Sequence, residues 1–305
     1  MEFIKQELNI NFMGKRKITF MISAAVIAVS ILSLVVKGGP NYGIDFVGGT
    51  LVQIKFTEPV TVKEIRGVLG EIDLGRKCVI QRFGDEADNE YLFRLEKSES
   101  SNEGVTKQIE GTLKASMGDE ALEIRRSEVV GPKVGKELRE KGVKSILYAM
   151  IFILIYITWR FEFKFALGAI FALIHDVIIT IGIFSITGKE ISLPIVAALL
   201  TIVGYSLNDT IIVFDRIREL ARRVRRGGYS TIVNRALNIT LNRTLLTSLT
   251  TLIVVVTLFI LGGGVIHDFA FAMIIGVLVG TYSSIFVASP VLLAWETLMS
   301  RYGKG

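Results

Sequence analysis

Apolar and polar positions along this chain are separated into long blocks. Six apolar runs approach or exceed the ~20 residues that cross the hydrocarbon of a bilayer. They are Ile18–Val36, Val143–Thr158, Phe165–Ile186, Ile191–Phe214, Thr244–Leu261 and Phe269–Trp295. The pattern predicts six transmembrane helices, the second the shortest and the last long enough to tilt or to run into the interface. A seventeen-residue polar arm precedes the first run, whose apolar core is long and is followed by no A-x-A site. That run therefore reads as a retained span and not as a cleaved signal peptide.

The stretch Lys37–Lys141, between the first two runs, is polar and has its own pattern. Ile44–Phe56 alternates like a strand, and Thr61–Ile72 has helical periodicity with Thr61 and Glu64 spaced as a capping box. Cys78–Phe83 and Tyr91–Leu95 read as strands around the turn-rich GDEADN. Asn102–Met117 reads as a second helix starting at an Asn cap, and Leu122–Val130 as a last strand. The order β-α-β-β-α-β predicts a ferredoxin-like α+β domain. Gly131–Gly142 reads as the linker into the second span. The expected organisation is an arm at 1–17, a span at 18–36, the α+β domain at 37–142, five more spans within 143–299 enclosing an Arg-rich loop at 216–243, and a tail at 300–305. The fold class is thus a membrane all-α bundle carrying a ferredoxin-like domain between its first two helices.

Charge adds orientation. Lys15, Arg16 and Lys17 precede the first span and place the N-terminus in the cytoplasm. The same side receives Arg160, Lys164, the loop with Arg216, Arg218, Arg222, Arg223, Arg225, Arg226 and Arg235, and the tail with Arg301 and Lys304. The other side receives only Lys189 and Glu190 in one loop and Gly262–Asp268 in another, so both termini are expected to be cytoplasmic. The net charge of +6 is then mostly a topology signal. The Arg-rich loop reads as a positive-inside anchor near anionic membrane lipids, with no nucleic acid as partner. The polar domain holds 17 Lys/Arg and 19 Asp/Glu, and a long translocated domain is not bound by the positive-inside rule. Cys78 is the one cysteine, so the domain has no internal disulfide, and a buried thiol in a strand is the expectation.

Enzyme signatures are absent: no G-x-x-x-x-G-K-[ST], no Cys/His zinc spacing and no G-x-S-x-G. Gly43–Thr50 (GIDFVGGT) is Gly-rich but sits at a strand, which offers no helix N-terminus to a phosphate. No cofactor, metal or enzymatic activity is expected. Work in the membrane would draw on an ion gradient or on a partner.

The chemistry-bearing residues are the charges inside apolar runs. Asp209 lies two-thirds of the way along ISLPIVAALLTIVGYSLNDTIIVF, with Ser206 and Asn208 beside it. An intramembrane carboxylate marks a proton or ion relay unless it is held in a structural ion pair. The fifth run opens LNRTLLTSLTT, with Arg243, Thr247, Thr250 and Thr251 on one polar face. At helical rise, Asp209 is about 22 Å from Pro194, and Arg243 about 27 Å from Leu261. Both charges fall in the cytoplasmic half, where a guanidinium could pair with the carboxylate. Such a pair could open to admit a proton or could be static, with Arg243 snorkelling and Asp209 hydrated. In the third run Gly168, Ala172, Asp176 and Thr180 recur every four residues, which places Asp176 on a close-packing face. His175 points about 100° away from Asp176, so the two need not act together. Either could serve a proton relay; a satisfied buried histidine is the alternative. The sixth run carries Ala272, Gly276, Gly280, Ser284 and Ala288 at the same spacing, a stripe for close helix packing.

Three segments carry a resemblance: YGIDFVGGT (including Gly43, Asp45, Gly48, Gly49 and Thr50), GYSLNDTIIVFDRIRE and NRTLLTSLTTL. Together, in this order and topology, they resemble the SecF branch of the SecD/SecF family of bacterial protein-export membrane subunits. The resemblance spans the whole chain, with the HD pair in the third span. It implies an accessory to the Sec channel (SecY, SecE, SecG and small accessory subunits) in the inner membrane, working with a homologous six-span SecD subunit. It also implies a role for Asp209 and Arg243 in proton-driven pulling of an unfolded preprotein from the outer side. The fold is similar to one half of the resistance-nodulation-division transporters. Two other readings fit less well. Half of a proton-driven small-molecule or lipid exporter would have little room for a cleft in so small an outer domain. An intramembrane protease using Ser206 or the His175–Asp176 pair lacks a Ser/His pair at a shared depth.

Overall fold

A computed structural model of the chain describes residues 9–70, 72, 78–83, 88–95, 102–223 and 228–302. The first eight residues of the arm, the turn residues 84–87, Arg225, Arg226, Lys304 and the side chains of Asn102 and Arg301 lie outside that description. Among the described residues, six helical stretches are long and apolar enough to cross a membrane. The chain divides into two compact units.

The larger unit takes in residues 1–41, 144–190 and 194–305. Its helices are α1 (Arg16–Val36), the apolar part of α5 (Pro132–Arg160), α6 (Phe163–Thr187), α7 (Leu193–Arg223), α8 (Tyr229–Leu261), α9 (Gly263–Ser283) and α10 (Ser289–Tyr302). A π-helical segment, Ser284–Ala288, joins α9 to α10 so that the last span is continuous. Helices α6, α7 and the last span form the centre: 61%, 50% and 56% of their apolar windows are buried, against 17% for α1 and 11% for α5. Phe165, Phe214, Ile217, Val233 and Leu292 fill a core at one end of the bundle. The arm enters that core through Phe12 and Met13. Asn234 and Asn238 of α8 clamp it there. The Ile10 amide donates to Asn238 Oδ1 (2.8 Å), and the Ile10 carbonyl accepts from both side-chain amides (3.0 and 2.9 Å).

Several helices exceed their apolar runs. The expected linker Gly131–Gly142 is helical from Pro132, because proline suits a first helical turn that needs no N–H and nothing in KVGKELREKG breaks the helix. The expected Arg-rich loop is helical up to Arg223 and again from Tyr229. Arg216 pairs with Glu219 and Arg223 with Glu219 (3.0 Å) at i,i+3 and i,i+4 spacing, which supports a solvated helical extension.

The smaller unit takes in residues 42–143 and 191–193. After a short helix α2 (Ile44–Val47) come β1 (Gly49–Phe56), α3 (Val62–Gly70), β2 (Cys78–Phe83), β3 (Glu90–Leu95), α4 (Asn102–Met117) and β4 (Leu122–Val130). The expected strand at Ile44 thus starts five residues late. Gly48 (φ +81°) and Gly49 (φ +138°) turn the chain out of α2 in conformations that L side chains rarely adopt. The sheet is antiparallel with order β2-β3-β1-β4, and the β1–β4 register shifts at Gln53/Ile54. Val52, Ile54 and Phe56 alternate inward from β1. Ile65 and Leu69 of α3 and Val105, Ile109 and Leu113 of α4 cover them. Each fully buried side chain of this size contributes roughly 1.5–3 kcal/mol. The Thr61–Glu64 capping box starts α3: the Thr61 amide donates to Glu64 Oε2 (2.8 Å) and the Glu64 amide to Thr61 Oγ1 (3.3 Å).

Candidate functional site

Two carboxylates lie inside the bundle of the larger unit, each 1% exposed: Asp176 on α6 and Asp209 on α7. Among the described residues, neither is paired with a lysine or arginine. A buried carboxylate must then be served by hydrogen bonds, and α6, α7 and α9 supply them to Asp176. Its Oδ2 accepts from Ser206 Oγ of α7 (2.6 Å) and from Ser283 Oγ of α9 (2.8 Å). Its Oδ1 lies 2.9 Å from His175 Nδ1. The other ring nitrogen, His175 Nε2, lies 3.2 Å from Ser23 Oγ of α1. Ser23 donates to Tyr282 (3.2 Å), whose hydroxyl donates to the Thr19 carbonyl (2.8 Å), and the Tyr282 ring stacks on His175 at 6.0 Å.

His175 and Asp176 therefore act as one group, contrary to the separation their 100° spacing suggests. Both side chains turn into the seam where α1, α7 and α9 meet α6. The connection Ser23–His175–Asp176 has the bonding order of a hydrolytic triad. Ser23 lies inside helix α1, though, whose amides are spent in its own ladder, and no donor pair faces an oxyanion there. What the chain of groups can do is carry a proton between hydroxyls, imidazole and carboxylate.

Asp209 is served more sparsely. Ser248 Oγ of α8 reaches its Oδ2 at 3.5 Å, the limit of a hydrogen bond, and Ser248 is 2.6 Å from Thr281 Oγ1 of α9. Asp209 Oδ1 and the nearby Thr244 Oγ1 are buried without a hydrogen-bond partner. Ser206 and Asp209 are three residues apart on one face of α7, about 4.5 Å along its axis. Two sets of polar groups thus lie inside the bundle, Ser23–His175–Asp176 with Ser206 and Ser283, and Asp209–Ser248–Thr281.

Arg243 does not pair with Asp209. It is exposed and lines a surface cavity of about 450 Å³ together with Tyr156, Arg160, Asp215 and Glu219. Depth read from sequence fixes height along a helix but not rotation about it. Among the described residues Arg243 makes no ion pair with Asp209, yet it lies near enough for its charge to act on that carboxylate. Thr247, half-buried, returns its hydroxyl to the Arg243 and Thr244 carbonyls (3.1 and 2.9 Å), and Asn208 is exposed.

The small-residue stripe sets how near these groups come. A Cβ on Gly276 would stand 2.2 Å from Ile202 of α7, and one on Gly280 would stand 3.0 Å from the Ser206 Cβ. Ala272, Ser284 and Ala288 are fully buried, and a Cβ on Gly168 of α6 would stand 2.9 Å from the Ala288 carbonyl. Ser23, Ser248, Thr281, Tyr282 and Ser283 went unnamed in the sequence. A serine or threonine in a membrane helix usually bonds its own backbone, so only the neighbouring helix distinguishes these.

In the smaller unit, Gly43 donates to the Ile191 carbonyl (2.9 Å), and Asp45 Oδ2 accepts from the Leu193 amide (2.8 Å). A Cβ on Gly48 would meet Pro132 Cα at 2.8 Å, while Thr50 is buried in β1. The GG segment is therefore a tightly packed backbone corner and not a phosphate cradle.

The family described as protein export membrane protein SecD/SecF, C-terminal, matches residues 109–298, and the SecD/SecF GG motif matches residues 33–60. The chain belongs to the SecD/SecF family. It is 50% identical over 299 residues to the protein translocase subunit SecF of Magnetococcus marinus, covering 97% of this chain and 95% of that one. It is 47% identical over 293 residues to SecF of Vibrio alginolyticus, covering 96% and 91%. Among solved structures it is similar to SecDF of Thermus thermophilus, a translocon-associated membrane protein (TM-score 0.86, 38% identity, 97% of this chain). It is also similar to SecDF in its super-membrane-facing form (TM-score 0.69, 39% identity, 98% of this chain). This chain spans 40% of the length of each SecDF chain.

Proposed function

We propose that this multi-pass translocase subunit couples proton movement to late steps of protein export, acting with a SecD half and the Sec channel of SecY, SecE and SecG on an unfolded preprotein. The reading is carried by one observation: Asp176 and Asp209 are both buried in membrane helices without a lysine or arginine ion pair among the described residues. A carboxylate so placed is costly as a fixed charge and useful as a group that takes and gives a proton. No cofactor is needed, and the role is transport, not catalysis.

Arg243 and Asn208 support the SecD half as partner. A guanidinium on the exposed face of an apolar helix needs an acidic or carbonyl partner, and this chain, which spans 40% of SecDF, leaves that face uncovered. The basic loops put both termini in the cytoplasm of a bacterial inner membrane. The smaller unit, with its β-α-β-β-α-β order and 4-1-3-2 sheet, is then a ferredoxin-like domain on the outer side, where it would meet the emerging chain.

Proton release tests this reading. The chain with its SecD partner, in vesicles holding a pH-sensitive dye, should move protons during export. Asp176→Asn and Asp209→Asn should each abolish the movement while leaving assembly intact. Unaltered proton flux in both variants would refute the relay.

A further inference from the structure

One large cavity of the bundle borders the relay at Ser23 and His175. It is an apolar groove of about 1040 Å³ between α1, the Phe171–His175 stretch of α6 and the Phe286–Leu298 stretch of the last span. Small side chains line it, Ala24 and Ala28 on α1 and Ala294 on α10, and large neighbours such as Phe20 and Phe171 stand exposed at its sides. The groove is large for a ligand pocket, at the upper end of the range such sites occupy.

Its two ends differ. Along α1 the groove runs from Arg16 to Ile31, fifteen residues or about 22 Å, more than the ~15 Å of one hydrocarbon leaflet. Arg16 and Lys17 line one end, both exposed, and neither forms an ion pair among the described residues. The nearby acid of α10, Glu296, is committed to Lys164 of α6 at 2.6 Å. The rest of the lining is apolar apart from Ser23, His175 and Thr297, and the first two are already bonded to each other. A cationic mouth on an apolar trough complements an amphiphile with an anionic head and a hydrocarbon tail.

We propose that this groove is a binding site for one anionic glycerophospholipid, its phosphate on Arg16 and Lys17 and an acyl chain along Ala24 and Ala28.

Native mass spectrometry of the full-length chain, supplied with phosphatidylglycerol and phosphatidylethanolamine of identical chains, tests it. The unaltered protein should retain one phosphatidylglycerol in clear preference to phosphatidylethanolamine. Replacing both basic residues (Arg16→Gln with Lys17→Gln) should weaken that preference by roughly 20–30-fold, from about fivefold per basic group. Ala24→Trp should fill the trough and lose the lipid, while Val29→Trp, exposed elsewhere on α1, should retain it and so separates groove filling from damage to the helix. Equal retention of the two lipids by the unaltered protein overturns the proposal. So does loss of the bound phosphatidylglycerol on assembly with the SecD half, which would make the groove a subunit contact.

Discussion

Ser206 of α7 donates to Asp176 of α6 across 2.6 Å, and one helical turn further along the same face of α7 lies Asp209. This contact holds Asp176 against the helix that carries Asp209, two carboxylates that the sequence shows only as isolated charges in separate apolar runs. Ser206→Ala should leave Asp176 with His175 and Ser283 alone. Hydrogen bonds between membrane helices contribute about 0.6 kcal/mol on average and up to about 1.7. A loss within that range is expected in thermal unfolding of the detergent-solubilised chain, together with slowed proton movement. Unchanged proton movement would detach Ser206 from the relay.

The stripe on α9 controls the same contact. Gly280→Leu must push Ser206 away, since a Cβ there already stands 3.0 Å from it, and overpacking of this kind costs about 1–3 kcal/mol. Gly204, with nothing within 4 Å of its Cβ position, is the control: Gly204→Ala should leave the stability of the chain alone unaltered. Equal melting of both variants would show the stripe to be incidental.

The apolar runs were legible because twenty consecutive apolar residues have one low-cost placement. The helix ends were not. Arg216–Arg223 and Tyr229–Arg243 remain helical through local ion pairs and amphipathic packing, which a hydropathy run does not register. Asp176 and Asp209 stood out as charges in oil, whereas their partners Ser23, Ser248 and Ser283 come from other helices and carry no sequence signal. Depth read from the sequence placed Arg243 near enough for its charge to act on Asp209, while no ion pair forms between them among the described residues. The strand order of the smaller unit followed from alternation, and its missed start at Ile44 was set by Gly48 and Gly49, whose positive φ ends a helical turn.

The capping box predicts a pH effect on the smaller unit. Hydrogen bonds from the Thr61 amide and hydroxyl hold the Glu64 carboxyl below its usual range. A lowered folded-state value means the contribution is complete above the ordinary carboxylate pKa and fades as pH falls through the lowered one. Excised as residues 37–141, whose buried core is internal, the unit should fold as a soluble monomer. Thr61→Ala should cost it about 1 kcal/mol at neutral pH and less in acid. A pH-independent difference would remove the capping role from Glu64.

Cys78 is 4% exposed in β2, and burial pushes its thiol up to about 12. At pH 8 the thiolate is then on the order of one in ten thousand, so maleimide should label the native protein very slowly and the denatured protein within minutes. Rapid labelling of the native protein would contradict the burial of β2.

The central claim is that Asp209 takes and gives a proton. Asp209→Asn holds that position neutral, and burying an amide costs no more than burying a carboxylate, so the span should still insert and the complex assemble. The decisive measurement is gradient-dependent preprotein translocation into membrane vesicles carrying this variant with its SecD partner. The account predicts loss of the gradient-dependent step with expression and assembly retained. Full gradient-dependent translocation by Asp209→Asn would contradict it.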